Sequence, residues 1–235
     1  MNIFPELEWF FGAIFIYFSA FVLIDHEFKS NENYTLLAIE KKSYFQKNIL
    51  KSFALVLISI FGSVIFFDGF INNKWNNQQI YRLGYFYSAL DFLGLLKVHN
   101  LPKNSKIHHI ITFILSLINS QIDYNIPSIW RGLIIYCLLS SYAFGVNYFL
   151  GVRLIFPLGN LRKIIKYNII SYASLLLINW SFQVYNTYIH FSHTMESYIY
   201  IALLLGVAFD DVKLVRFLNH HYKKAIEELF GPKRI

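Results

Sequence analysis

Between Arg131 and Arg153 stand 21 consecutive residues without a charged side chain. A run of about 20 apolar residues is what carries a helix across the hydrocarbon core of a bilayer. Six further apolar runs accompany it, and the predicted spans are 7–24, 51–71, 81–97, 107–122, 129–152, 166–189 and 196–211. In hydrocarbon every backbone amide and carbonyl must find its partner within the protein, which favours helices. The expectation is an all-α integral membrane protein with seven transmembrane helices. Composition agrees: 15% of the 235 residues are charged, against about 25% in soluble domains, and the mean hydropathy is +0.42.

The basic residues sort by side. Lys and Arg in alternate segments between the spans sum to 18 on one side and 3 on the other. The positive-inside rule then places the N-terminus in the lumen or outside and the C-terminal tail in the cytoplasm. This distribution accounts for the net charge of +7 without a nucleic-acid partner. The first run lacks a basic n-region and a small-residue cleavage site, so it reads as a retained span. The segment 25–51 mixes five lysines with four acids and predicts a solvated loop carrying a short surface helix. The stretch FLNHHYKKAIEELF, closed by Gly231 and Pro232, predicts a separate amphipathic helix at the cytoplasmic surface. The lone Cys137 lies in an apolar run and reads as a small core hydrophobe, with no disulfide framework or Cys/His metal cluster.

Ionisable groups at hydrocarbon depth are expensive and face a bundle interior or a water-filled cavity. Asp91 lies in the middle of the third span, and His108 and His109 open the fourth. Asp91 precedes Lys97 by six residues, about 9 Å of helix, and the histidines enter from the same side, so the three groups share a depth. A carboxylate there can orient an imidazole for general acid–base work. Two plainer roles stay open: a structural hydrogen bond for Asp91, and histidines facing headgroup water. Adjacent histidines on a helix point about 100° apart, which argues against a zinc site. Asp210 and Asp211 end the seventh span, where carboxylates reach the headgroups, and His220–His221 read as solvent-exposed.

Polar residues recur at helical spacing on spans three to six: Gly84, Ser88, Asp91 and Leu95; His108, Thr112, Ser116 and Asn119; Tyr136, Ser140, Ala143 and Asn147; Asn168, Tyr172, Asn179 and Asn186. Such stripes line a cavity or glue helices together. The first two runs have almost no such stripe. The predicted layout is therefore a peripheral first helix (1–28), a six-helix domain around a polar centre (29–211) and a tail (212–235).

The stretch 81–119 resembles a known family. LGYF, then Asp91, then a Lys/Pro-containing turn, then HHIITFILSL is similar to the central signature of the TLC-domain family, which includes the ceramide synthases. The resemblance implies six helices around a lipid cavity, an endoplasmic-reticulum membrane, and an active centre formed by His108, His109 and Asp91. Ser88, Thr112, Ser116, Asn119, Tyr136, Ser140, Asn147 and Asn179 become candidate cavity residues. Ceramide synthases carry a further His-Asp…Asp pattern where this chain reads GLIIYCLLSSYAFGVNYFLGVRLIFPLG, with no acid and no histidine. SSYAFGVN and FLGVRLIFP resemble instead the branch linked to membrane lipid composition. The implied function is binding and modification of lipids in membrane lipid homeostasis, without a cofactor or metal, with membrane lipids as partners and a homo-oligomer allowed. The alternative is an acyl-CoA-dependent sphingoid-base N-acyltransferase, with acyl-CoA as co-substrate and a histidine taking the proton of the attacking amine. A seven-span receptor is a third class, resting only on the span count and the lumenal N-terminus.

Overall fold

A computed structural model describes residues 4–98 and 100–231, with the backbone alone for Asn104. Helix is the only regular secondary structure among the described residues. The elements are α1 Leu7–Phe28, α2 Glu32–Thr35, α3 Ile39–Phe66, α4 Asn77–Lys97, α5 Lys103–Asn119, α6 Arg131–Tyr142, α7 Phe144–Val152, α8 Leu158–His190 and α9 Met195–Phe230. A π-helical turn, Phe67–Ile71, prolongs α3. Among the described residues, two helical stretches are long and apolar enough to cross a membrane, Leu7–Phe28 and Ile39–Ile71, and α6 with α7 makes a third if the bent pair is one span. The chain is thus all-α with the character of a membrane protein. Six of the seven predicted segments fall mainly on one helical stretch each, and the fifth is divided between α6 and α7.

Local chemistry sets the ends. The Asn76 side chain caps α4 by accepting from the Gln79 amide at 3.2 Å. Pro102 and Pro157 immediately precede α5 and α8, where a fixed φ suits helix entry. Gly231, at φ 74°, ends α9 in a conformation that L side chains avoid. The second half of the predicted cap, Pro232, lies outside the described residues.

The fifth predicted span is not one straight helix. It breaks at Ala143, and α6 and α7 meet at 43°. Just past the break, the Asn168 amide of α8 donates to the Gly145 carbonyl at 2.8 Å. A Cβ at Gly145 would collide with that same amide. A side chain pressed into the helix backbone is a recognised cause of a kink.

Packing closes a circuit. α3 lies beside α4, α4 beside α5, α5 beside α9, α9 beside α8, and α8 beside α6 and α7, which return to α3. α1 sits outside this ring against α4 and α3. Its outer face leaves Phe11, Phe15 and Leu23 more than 60% exposed, an apolar face suited to lipid.

Two sequence expectations need correction. α3 begins at Ile39, so residues 39–50, expected in a solvated loop, form the first three turns of a core helix. Lys47 and Lys51 are accordingly buried. The tail is not a separate surface helix either, because α9 continues unbroken from Met195 to Phe230. The short helix expected within 25–51 corresponds to α2, but it is anchored rather than floating: Tyr34 is buried and donates to the Asp25 carboxylate at 2.7 Å.

Candidate functional site

The site is built from three helices of the ring. α3 supplies Lys47 and Lys51, α4 supplies Asp91, and α5 supplies His108 and His109. Asp91 is fully buried. Its Oδ1 accepts from the Lys51 ammonium and stands 3.0 Å from Nδ1 of His109. On the far side of the ring, Nε2 of His109 lies 3.1 Å from the Lys47 ammonium nitrogen. One imidazole therefore bridges a carboxylate and an amine. The tautomer with hydrogen on Nδ1 faces Lys47 with a lone pair, while Nδ1 itself, though close to Asp91 Oδ1, is not aligned for a hydrogen bond. The second carboxylate oxygen, Asp91 Oδ2, is buried without a hydrogen-bond partner.

Room for Lys47 comes from the neighbouring helix. A Cβ at Gly94 of α4 would stand 2.9 Å from Cδ of Lys47. The missing side chain is thus a groove for the lysine stem. The Asp91 ion pair needs tight geometry because buried charges are stable only when paired and hydrogen-bonded.

The two lysines and the two histidines border a cavity of about 310 Å³, whereas Asp91 lies behind them and lines no cavity; the volume is at the lower edge of the roughly 300–1,000 Å³ usual for ligand pockets. Lys47, Lys51, His108 and His109 form its basic wall, and Tyr136, Ser140, Asn147 and Tyr172 face them. Leu55, Val146, Leu150 and Leu214 make its apolar part. A second, smaller and more apolar cavity of about 60 Å³ lies next to it, lined by Ile58, Leu83, Thr112, Ser116, Asn119 and Cys137 among others. Tyr87 and Tyr136 line both cavities and form the partition between them.

The predicted residues distribute unevenly. Asp91, His108 and His109 come together. Their ligand-type atoms all lie within 4.8 Å of one another, despite the divergence expected of adjacent histidines. Tyr136, Ser140 and Asn147 line the larger cavity, and Thr112, Ser116 and Asn119 the smaller. Ser88 and Asn179 line neither. Ser88 is buried and donates to its own helix at the Tyr85 carbonyl, 3.3 Å away. Asn179 belongs to a polar knot joining α6, α8 and α9. There Gln183 donates to Asn179 at 3.2 Å and to the Gly132 carbonyl at 2.9 Å. Tyr200 donates to Gln183 at 2.6 Å, and Asn186 to the Ile129 carbonyl at 2.8 Å. This part of the α8 stripe is interhelical glue. Cys137 borders the smaller cavity and makes no disulfide.

Sequence reasoning missed four members. The sequence reads Lys47 and Lys51 as loop lysines. It puts Asp210 and Asp211 at the headgroups, yet both line the larger cavity. Asp210 Oδ2 lies 3.2 Å from Nδ1 of His108, and Asp211 is buried and accepts from Tyr172 at 2.7 Å. The signal was present on α3: Tyr44, Lys47, Asn48, Lys51 and Leu55 all line the cavity and follow a helical face continuous with the second apolar run. Of the second pair, His220 is exposed as expected, but His221 is half-buried against Phe217.

Asp91, His108 and His109 form a donor set that could close on a metal ion. Two of these donors already face ammonium groups, Asp91 that of Lys51 and His109 that of Lys47, and a further cation would meet both charges at short range. The chain matches no protein-family model, no curated protein and no solved structure.

Proposed function

We propose that this chain is a multi-span membrane protein of the TLC type that holds a lipid in the bundle and acts on its polar end at the Asp91–His109–Lys47 centre. The observation that carries the reading is the His109 imidazole between a carboxylate and an amine at 3.0 and 3.1 Å, on the wall of a cavity that is polar there and apolar beyond. A lipid headgroup meets the charged wall, and its chain follows Leu55, Val146 and the Tyr87–Tyr136 partition toward the smaller cavity. The resemblance over residues 81–119 supports the same assignment.

In this reading all seven segments cross the bilayer. The N-terminus is lumenal and the end of α9 cytoplasmic, in the endoplasmic reticulum. With the two buried lysines set aside, 16 basic residues remain on the cytoplasmic side against 3, and the orientation stands. The centre works by proton transfer, without a resident metal, because Lys47 and Lys51 supply its positive charge.

A second reading draws on the same geometry. N-Acylation of a long-chain base by acyl-CoA needs an acceptor amine at hydrogen-bond distance from a basic nitrogen, and Nε2 of His109 already holds an amine so. Purified protein in nanodiscs tests both. Lipid retained in native mass spectrometry and lost in Asp91→Asn supports lipid handling. Formation of an N-acyl product from acyl-CoA and a long-chain base, abolished by His109→Ala, selects the acyltransferase. An empty protein with no turnover contradicts both.

A further inference from the structure

Lys47 is a buried amine whose hydrogen-bond partner is an imidazole rather than a carboxylate. Lys51, one turn further along α3, is different: its ammonium is committed to Asp91. Three separate features single out Lys47. It borders the larger cavity. Its stem lies in the groove left by Gly94. Its nitrogen faces Nε2 of His109, whose other nitrogen faces Asp91. A lysine in apolar surroundings, or beside another cation, is the kind that attacks carbonyl compounds. Lys47 meets the second condition, with Lys51 one turn along α3 as the neighbouring cation, and it is buried.

We propose that Lys47 is a nucleophile that forms a Schiff base with a long-chain aldehyde or ketone held in the cavity. The inference rests on the cavity's being lipid-holding but not on the family assignment. In the first step His109 Nε2 takes a proton from the Lys47 ammonium, and the imidazolium is faced by Asp91. The freed nitrogen lone pair attacks the carbonyl carbon, the C–N bond forms, and the carbonyl π pair moves to oxygen. The attacking nitrogen gives one of its protons to that oxygen, giving a neutral carbinolamine. Loss of that hydroxyl as water, with the second proton returned by His109, leaves the C=N bond. The balance is amine plus carbonyl compound giving imine plus water, with no oxidant or reductant. Leu55, Val146, Leu150 and Leu214 line the same cavity as Lys47, and an acyl chain is the ligand part that apolar side chains favour.

The test is reductive trapping in the full-length protein in phosphatidylcholine nanodiscs. Hexadecanal and sodium cyanoborohydride are added, and every lysine is mapped by peptide mass spectrometry. The expected result is a stable adduct on Lys47, carrying the mass of the aldehyde less its oxygen atom, in large excess over exposed Lys103, Lys163 and Lys166. Lys47→Arg keeps the charge and abolishes that adduct, and His109→Gln slows it by roughly 100-fold. The map of the unaltered protein stands without any variant, so misfolding cannot mask the answer. An adduct absent from Lys47, or spread evenly over exposed lysines, overturns the proposal. Butanal is the second probe. Labelling of Lys47 by butanal but not hexadecanal overturns the long-chain assignment together with the lipid-holding reading. Lipid retained in native mass spectrometry with neither aldehyde on Lys47 overturns the nucleophile and leaves the lipid reading standing.

Discussion

The ammonium of Lys51 rests on Oδ1 of Asp91, tying α3 to α4 inside the bundle with side-chain exposures of 10% and 0%. Removing one partner of such a pair strands the other charge, at a cost of about 3–5 kcal/mol. Asp91→Asn and Lys51→Met should each lower the midpoint of thermal unfolding in detergent. The double variant Asp91→Leu/Lys51→Met should recover most of the loss, because no charge is then left buried. Strictly additive single losses would show that the pair is not coupled.

Gly94 and Gly12 respond oppositely to alanine. Alanine in a helix is intrinsically better than glycine by about 0.5–1 kcal/mol. At Gly12 a Cβ meets nothing within 4 Å, so Gly12→Ala should be neutral or stabilising. At Gly94 the same atom meets the Lys47 stem and should displace its nitrogen from His109. The measurement is aldehyde trapping at Lys47, which should fall in Gly94→Ala and stay unchanged in Gly12→Ala.

The polar knot on α8 holds the side of the ring opposite Asp91. Gln183 is 1% exposed and satisfies both the Gly132 carbonyl and the Tyr200 hydroxyl. Gln183→Leu should cost about 1–3 kcal/mol for each group left without a partner. Gly132→Ala should destabilise as well, because its Cβ would press on Tyr200, Asn186 and Gln183 together. Unfolding curves of both variants check this, and lysine trapping at Lys47 should survive in any folded fraction.

At the N-terminal end, Glu6 accepts from Arg82 Nε at 2.6 Å and Gln78 at 2.6 Å. The hydrogen bond from Arg82, then that from Gln78, holds its carboxyl below the ordinary value of 4.5. A lowered folded value means that the stabilisation is complete above pH 4.5 and is lost as the pH falls through the lowered value. Arg82 also stacks on Trp9, 4.9 Å from the ring centre. Acid titration of tryptophan fluorescence should show a transition below pH 4.5 that Glu6→Gln removes.

The helices were legible because apolar runs of bilayer length leave few alternatives, and only the fifth run is divided between two helices. The kink at Ala143 was not legible. Beside it Asn168 meets Gly145 across 23 positions of chain, and no local pattern encodes that meeting. Asp91 and the histidines stood out as charges in apolar surroundings. Lys47 and Lys51 did not, because the segment 25–51 that holds them counts five lysines and four acids and reads as a loop. Only their phase with Tyr44 and Leu55 gives the buried face away. Ser88 and Asn179 show the converse: helical phase puts a polar residue inward, but packing decides whether it meets a cavity or a neighbouring backbone.

The central claim, a lipid held inside the ring with its polar end at His109 and Lys47, is tested most directly by photo-crosslinking with a long-chain lipid carrying a diazirine in its chain. The account predicts adducts on inward residues such as Leu55, Tyr87, Tyr136 and Val146, competed away by unlabelled lipid. Labelling confined to the outer faces, at Phe15, Leu57 and Leu177, with no competition, would contradict it.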